Sequence, residues 1–177
     1  MKIAFIGKLC SGKSYAAKYL KDKYGYEILS FGGPVKKFAS EIFNLKHKDR
    51  KTIQDFAQSL KKINKDVWVN YLLRNLENIE TNNIVIDDLR FHNEQDALKK
   101  KSFIFIKISI DPKLQEERIE KTYGENKNVH LDRRSDISEI YTDELDFDYE
   151  IKINTSNEHT LINFIEKTIS NIKDNTY

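Results

Sequence analysis

Short apolar runs alternate along this chain with longer stretches in which apolar residues return every three or four positions. Lys2-Ile3-Ala4-Phe5-Ile6 is a run of the first kind. Similar runs follow at Tyr26-Glu27-Ile28-Leu29-Ser30-Phe31, Asn83-Ile84-Val85-Ile86-Asp87, 102–110 and 147–153. Continuous apolar runs of this length suit strands buried on both faces. The intervening segments carry helical spacing. Residues 14–20 and 35–43 read as helices, with Pro34 near the start of the second. Ile53, Phe56, Ala57, Leu60 and Ile63 share one helical face. Asp66 is placed to cap a helix running through Trp68, Val69, Leu72, Leu73 and Leu76. Further helices are expected over 92–101, from Pro112 through Arg118, and over 161–172. Five strands alternating with helices predict an α/β fold, a five-stranded parallel sheet with helices on both faces in a three-layer sandwich. We expect one domain over 1–177. Its core is 1–32, 83–117 and 137–177, a helical substrate-binding region covers 33–80, and a polar flap covers 118–136.

Composition narrows the function classes. The net charge of +2, with 33% charged residues of mixed sign, leaves no field that calls for nucleic acid or a membrane surface. No stretch is apolar for long enough to span a bilayer. With a first strand expected from Lys2, we expect no signal peptide. The single cysteine excludes an internal disulfide framework and fits a reducing compartment. The expected location is the cytoplasm, that of the host if the chain is viral. Only six of the 30 basic residues are arginines, so each arginine is worth inspecting as a phosphate ligand.

The candidate chemistry begins after the first strand. Gly7-Lys8-Leu9-Cys10-Ser11-Gly12-Lys13-Ser14 is a G-x-x-x-x-G-K-S phosphate-binding loop, and Tyr15 continues it into a helix. Its glycines let successive N–H groups turn inward on phosphate oxygens. Lys13 can reach the β- and γ-phosphates, Ser14 can ligate Mg²⁺, and the helix N-terminus adds positive potential. The same potential, with Lys8 and Lys13 nearby, predicts a reactive Cys10 thiolate. After the third strand comes Asp87-Asp88-Leu89-Arg90. A carboxylate there can hold Mg²⁺, and strand alternation sends Asp87 and Asp88 to opposite sides, so one of the two faces the site. Arg90 can bridge two phosphate groups. Arg118, Arg133 and Arg134 in the polar flap can close on the transferring group and stabilise its charge. Lys36, Lys37, Gln54 and Gln58 offer cations and amides for a second substrate, whereas Trp68 among apolar neighbours reads more readily as core. The four histidines share no ligand spacing.

With these residues in place, the chain resembles the P-loop nucleoside monophosphate kinase superfamily. It is most similar to the deoxynucleoside monophosphate kinases of phages and large DNA viruses, and to the related animal-type phosphomevalonate kinases. The resemblance rests on the phosphate loop, on Ser30 to Lys36, on Ile53-Gln54-Asp55-Phe56-Ala57 with Asp66-Val67-Trp68-Val69, and on Asp88-Leu89-Arg90-Phe91-His92-Asn93-Glu94. Asp132 to Asp136, Phe147-Asp148-Tyr149 and Asn154 complete it. It implies ATP as phosphoryl donor with Mg²⁺, Asn154 near the adenine, and Arg90 on phosphates. It also implies Gln54 and Trp68 on the acceptor side, with Phe31, Lys36, Asp88, Asn93 and Glu94. Lys13, Asp88, Arg90, Arg118, Arg133 and Arg134 are the implied catalytic set, with Ser14, Asp87 and Asp88 toward the metal. The expected reaction is phosphorylation of a (deoxy)nucleoside monophosphate. A kinase of a small phosphorylated metabolite and a non-catalytic nucleotide-binding regulator are the alternatives. A guanine switch is disfavoured, because neither Asn64-Lys65-Asp66-Val67 nor Asn126-Lys127-Asn128-Val129 completes an Asn-Lys-x-Asp tetrad. The expected partners are small nucleotides, and a homodimer is left open.

Overall fold

A computed structural model describes residues 1–45, 49–132 and 137–174. The strands are β1 (Lys2–Ile6), β2 (Glu27–Leu29), β3 (Ile84–Leu89), β4 (Ile104–Ile110) and β5 (Tyr149–Ile153). They form one parallel sheet in the order β2-β3-β1-β4-β5. The helices are α1 (Lys13–Tyr24), α2 (Gly32–Phe43), α3 (Arg50–Ile63), α4 (Val67–Glu77), α5 (His92–Lys99), α6 (Pro112–Tyr123), α7 (Lys127–Asp132), α8 (Ile137–Glu144) and α9 (Glu158–Asp174), with a 3₁₀ turn at Gly124–Asn126.

Strand alternation sorts the apolar runs into two cores. On one face Ile3 and Phe5 of β1 join Ala16, Ala17 and Leu20 of α1 and Leu161, Ile165 and Ile169 of α9. On the other, Ala4 and Ile6 meet Val69, Leu72 and Leu76 of α4 and Leu98 of α5. Both faces of β1 are therefore fully buried, which is why its sequence reads as an unbroken apolar run. With β1 between β3 and β4, the carboxyl ends of three adjacent strands open at one edge. The phosphate loop, the Asp87–Arg90 segment and the start of α6 all leave the sheet there, the usual ligand edge of such sheets.

Element ends follow local chemistry, with informative departures. The Asp111 side chain accepts from the N–H groups of Lys113 and Leu114, and Pro112 opens α6. Asp49 caps α3 through the Thr52 N–H. Asp66 precedes α4, but its carboxylate accepts from Asn93 Nδ2 at 2.9 Å instead of capping the helix. The stretch expected to be a polar flap is largely helical: α6 extends to Tyr123, and the 3₁₀ turn and α7 follow. Polar side chains hid this from a periodicity reading. α8 was not anticipated at all.

Candidate active site

The phosphate loop is shaped by two glycines. Gly7 has φ +152° and lies so close to β4 that a Cβ would sit 2.4 Å from the Ile108 carbonyl oxygen. Gly12 has φ +106°, and a Cβ there would meet Leu161 Cδ2 at 2.6 Å. A side chain at Gly7 would push the loop off the sheet, and at Gly12 the positive φ alone strains any other residue. Cys10 takes a left-handed conformation at φ +60°. Outside contacts fix the rest of the loop. Gln115 Nε2 donates to the Leu9 carbonyl at 2.8 Å, Arg118 Nη1 donates to the Cys10 carbonyl at 3.3 Å, and Lys8 pairs with Asp143 at 2.8 Å.

Lys13 lies inside the curl and is 8% exposed. Its ammonium donates to the carbonyls of Gly7 (2.5 Å) and Lys8 (2.8 Å). Burial, reinforced by the nearby Arg90 charge, lowers its pKa from 10.5 to about 8. Cys10 departs from the expectation of a reactive thiolate. Burial raises its pKa, and this outweighs the lowering by a Thr122 hydrogen bond, Lys13 and Arg118. Sequence reasoning counted neighbouring charges but could not see that Lys8 turns away to Asp143.

At the end of β3 both aspartates line the cleft and lie near Lys13, contrary to the expectation that only one would face it, because the register against β1 shifts between Ala4 and Ile6 and the alternation is broken there. Asp88 is spent on the protein: Oδ1 accepts from the Phe31 N–H and Oδ2 from the Gly32 N–H, both at 2.9 Å, at the start of α2. Burial still raises its pKa, although these two N–H groups pull it down. Asp87 lines the cleft and lies close enough to Lys13 to favour its charged form. Glu94 accepts from the N–H groups of Arg90 (3.0 Å) and Phe91 (3.1 Å), and burial pushes it up to about 7. It props the backbone beneath Arg90 and does not line the cleft.

These elements enclose one open cleft of about 1560 Å³. Leu9 to Tyr15 form its floor. Asp87, Asp88 and Arg90 form one wall, and Glu117, Arg118, Lys121 and Thr122 of α6 another. Lys36, Gln54, Gln58 and Lys61 of α2 and α3 form the far end, beside Phe91. Among the described residues the lining holds six basic side chains (Lys13, Lys36, Lys61, Arg90, Arg118, Lys121) and four acidic ones (Asp87, Asp88, Glu117, Glu139). Two of the acids are already committed to backbone N–H groups, so the cleft favours a polyanion.

Several expected residues lie elsewhere. Trp68 is 7% exposed, donates Nε1–H to the Ala57 carbonyl at 3.3 Å and packs on Phe56 behind α3. It is core, and supports the helix that carries Gln54 from the rear. Phe31 is buried on the α4 side of the sheet, and Asn93 is held by Asp66. Asn154 is exposed and absent from the cleft lining. Arg133 and Arg134 lie outside the described residues. Sequence reasoning missed Glu139, which is 4% exposed on α8. It accepts from the Leu9 N–H at 2.7 Å and from Arg90 Nη1 at 2.6 Å. An isolated glutamate 49 residues from its arginine gives no local signal.

Oxygen donors suit a hard dication: the Ser14 hydroxyl and the Asp87 carboxylate both line the cleft. Mg²⁺ needs few protein ligands when phosphates and water supply the rest. Among the described residues no group of three or more His, Cys, Asp or Glu side chains forms a metal cage. No helix among them is long and apolar enough to cross a membrane.

Comparison with known protein families matches residues 3–142 to the AAA domain. The chain belongs to the AAA-domain family. No curated protein sequence matches it significantly. Three solved kinases share the fold of this AAA domain. Shikimate kinase from Acinetobacter baumannii, solved with shikimate, superposes with a TM-score of 0.59 at 17% identity, covering 98% of this chain and 93% of its own. Deoxyadenosine kinase from M. mycoides, solved with dATP, gives 0.56 at 18%, covering 96% and 100%. Dephospho-CoA kinase from Campylobacter jejuni gives 0.55 at 21%, covering 100% of both chains. At these identities the likeness concerns the fold.

Proposed function

We propose that this AAA-domain protein is an ATP-dependent kinase that phosphorylates a nucleoside monophosphate, or its deoxy form, to the diphosphate. One observation carries the reading: Lys13, Asp87 and Arg90 open onto the same cleft as Gln54, Gln58, Lys36 and Lys61. A phosphate-binding end and an amide-and-cation end thus share one volume, as direct transfer between two nucleotides requires.

Each residue has a role in that reaction. The backbone N–H groups from Ser11 to Ser14 and the Lys13 ammonium bind the donor's β- and γ-phosphates. Ser14 and Asp87 would hold Mg²⁺, which would supply charge neutralisation on the donor's phosphates. Arg90 reaches from the wall toward the transferring group, and Arg118 braces the loop from α6. Lys36 and Lys61 receive the acceptor's phosphate, while Gln54 and Gln58, one helical turn apart on α3, present amides to its base. No base is needed to remove a proton, because the attacking phosphate is already an anion. Catalysis is positioning and charge stabilisation.

The test is ADP release with Mg-ATP across a panel of nucleoside and deoxynucleoside monophosphates, with phosphomevalonate alongside. At least one nucleotide should turn over fastest, and Gln54→Ala should raise that acceptor's KM while leaving the KM for ATP unchanged. Phosphomevalonate outpacing every nucleotide would transfer the assignment to a metabolite kinase. ATP binding with no turnover on the whole panel would make the protein a non-catalytic nucleotide binder.

A further inference from the structure

We infer that Glu139 is a positioning residue that clamps the Arg90 guanidinium to the backbone of the phosphate loop, making the two halves of the phosphate site one rigid unit. The inference deepens the kinase reading and rests on it for the chemistry, though not for the geometry.

The Glu139 side chain is 5% exposed, against 29% for Arg90. Each carboxylate oxygen has its own partner. Oε2 accepts from the Leu9 N–H at 2.7 Å, and Oε1 accepts from Arg90 Nη1 at 2.6 Å. A buried carboxylate is costly unless both oxygens are satisfied, and here the two donors come from opposite sides of the phosphate site. Leu9 follows β1, and Arg90 follows β3. The carboxylate that joins them comes from α8, beyond the helical segment that opens with α6.

α8 is itself fixed at this place. Within the helix Thr142 Oγ1 donates to the Glu139 carbonyl at 2.6 Å, and it is Asp143, one turn along, that ties α8 to Lys8 at 2.8 Å and Lys107 at 3.6 Å. The Glu139 charge also favours the ammonium form of Lys13. Arg90 is a long side chain with several rotamers, and an arginine that must meet a moving phosphoryl group gains from arriving already oriented. Below it, Glu94 holds the Arg90 backbone N–H at 3.0 Å. Main chain and guanidinium are therefore fixed by two different carboxylates.

Glu139→Gln tests the clamp selectively. The glutamine oxygen can still accept from the Leu9 N–H, but its amide N–H₂ then faces the Arg90 donors and the bond to the guanidinium is lost. If the clamp orients Arg90, kcat falls about 10²-fold, the size of a small misplacement at a reacting centre. The KM for ATP stays level or drops, because a negative charge near the polyphosphate has gone. A merely structural glutamate would lower kcat, raise the KM for ATP and lower the thermal midpoint together. In an Arg90→Ala background the substitution should have no further effect on kcat and should raise the thermal midpoint, since Glu139 would otherwise be buried without that cation.

A second readout needs no turnover. The Arg90 side-chain ¹⁵N resonances should show hindered guanidinium rotation in the wild type and faster rotation in Glu139→Gln. Unchanged Arg90 spectra, kcat within threefold of wild type, or losses that multiply in the double variant would each overturn the clamp. A wild type that transfers phosphate to no acceptor, yet shows the hindered Arg90 signal, would overturn the kinase reading and uphold the clamp.

Discussion

Lys13 makes a demand on the fold that pH can measure. In the unfolded chain its ammonium titrates near 10.5, and in the folded protein burial and Arg90 bring that down to about 8. Between those values the unfolded chain binds more protons, so stability rises with pH across the window. Below pH 8 the folded protein carries the full cost of a charged, enclosed ammonium. At ~1.4 kcal/mol per pKa unit this is on the order of 3 kcal/mol, relieved as pH climbs toward 10.5. Lys13→Met removes the charge but orphans the Gly7 and Lys8 carbonyls, at ~1 kcal/mol each, so near pH 7 the two proteins should have similar stability. Between pH 7 and pH 10 the wild type should gain roughly 2.5 kcal/mol on the variant. Urea unfolding of both proteins at pH 7, 8, 9 and 10 measures this difference. Activity supplies the complementary arm. Polyphosphate favours the ammonium, so kcat, measured on the complex, should stay flat from pH 7 to 9.5. The ratio kcat/KM for ATP reports the free enzyme and should fall above about pH 8, approaching tenfold per pH unit. A stability difference that is constant with pH, together with a flat kcat/KM, would refute the claim that Lys13 is charged and enclosed before the nucleotide arrives.

Three shorter predictions follow from the same geometry. Asp87→Asn should abolish most turnover with little change in urea midpoint, whereas Asp88→Asn should cost about 2 kcal/mol of stability by weakening two charge-assisted bonds to the start of α2; the reverse pattern would exchange their roles. Gly7→Ala should lose ATP binding by calorimetry and unfold at lower temperature, because its Cβ would fall 2.4 Å from a backbone oxygen that belongs to β4; wild-type affinity in this variant would mean that the loop does not lie against the sheet. Cys10 should alkylate more slowly at pH 7 than a free cysteine, and speed up as pH passes its raised pKa, as followed by mass spectrometry; a faster reaction would restore the thiolate reading.

The fold was legible because its signals are local. A strand buried on both faces must be apolar throughout, and β1, β3 and β4 announce themselves in that way. The phosphate loop is equally local, since a strand, a glycine curl and a helix follow one another within a few residues. The helices of the 118–144 region were not legible for the converse reason. α6 beyond Arg118, α7 and α8 carry many charges, and the pairs that hold α8 reach to Lys8, Arg90 and Lys107, far away in sequence. Nothing in a short window reveals such partners.

The site divides along the same line. Strand alternation predicted that one of Asp87 and Asp88 would face the cleft, whereas both line it, and the sequence did not show which of them stays free for a ligand. That depends on α2 starting beside β3, where its free N–H groups capture Asp88. Trp68 shows the limit of a resemblance carried over residue by residue. Its indole reaches the back of α3 through the Ala57 carbonyl, so it can govern the acceptor side only by fixing the helix that bears Gln54 and Gln58. Glu139 is the sharper case. A motif search favours residues that touch substrate, and a carboxylate beside a polyanion site looks misplaced by charge alone. Placed between a loop N–H and a guanidinium, it becomes intelligible. The negative charge is neutralised locally, the arginine is held in one orientation, and the loop is tied to the wall that must act with it. A site for phosphate therefore contains an anion of its own, because orienting Arg90 outweighs the modest repulsion that a paired carboxylate adds.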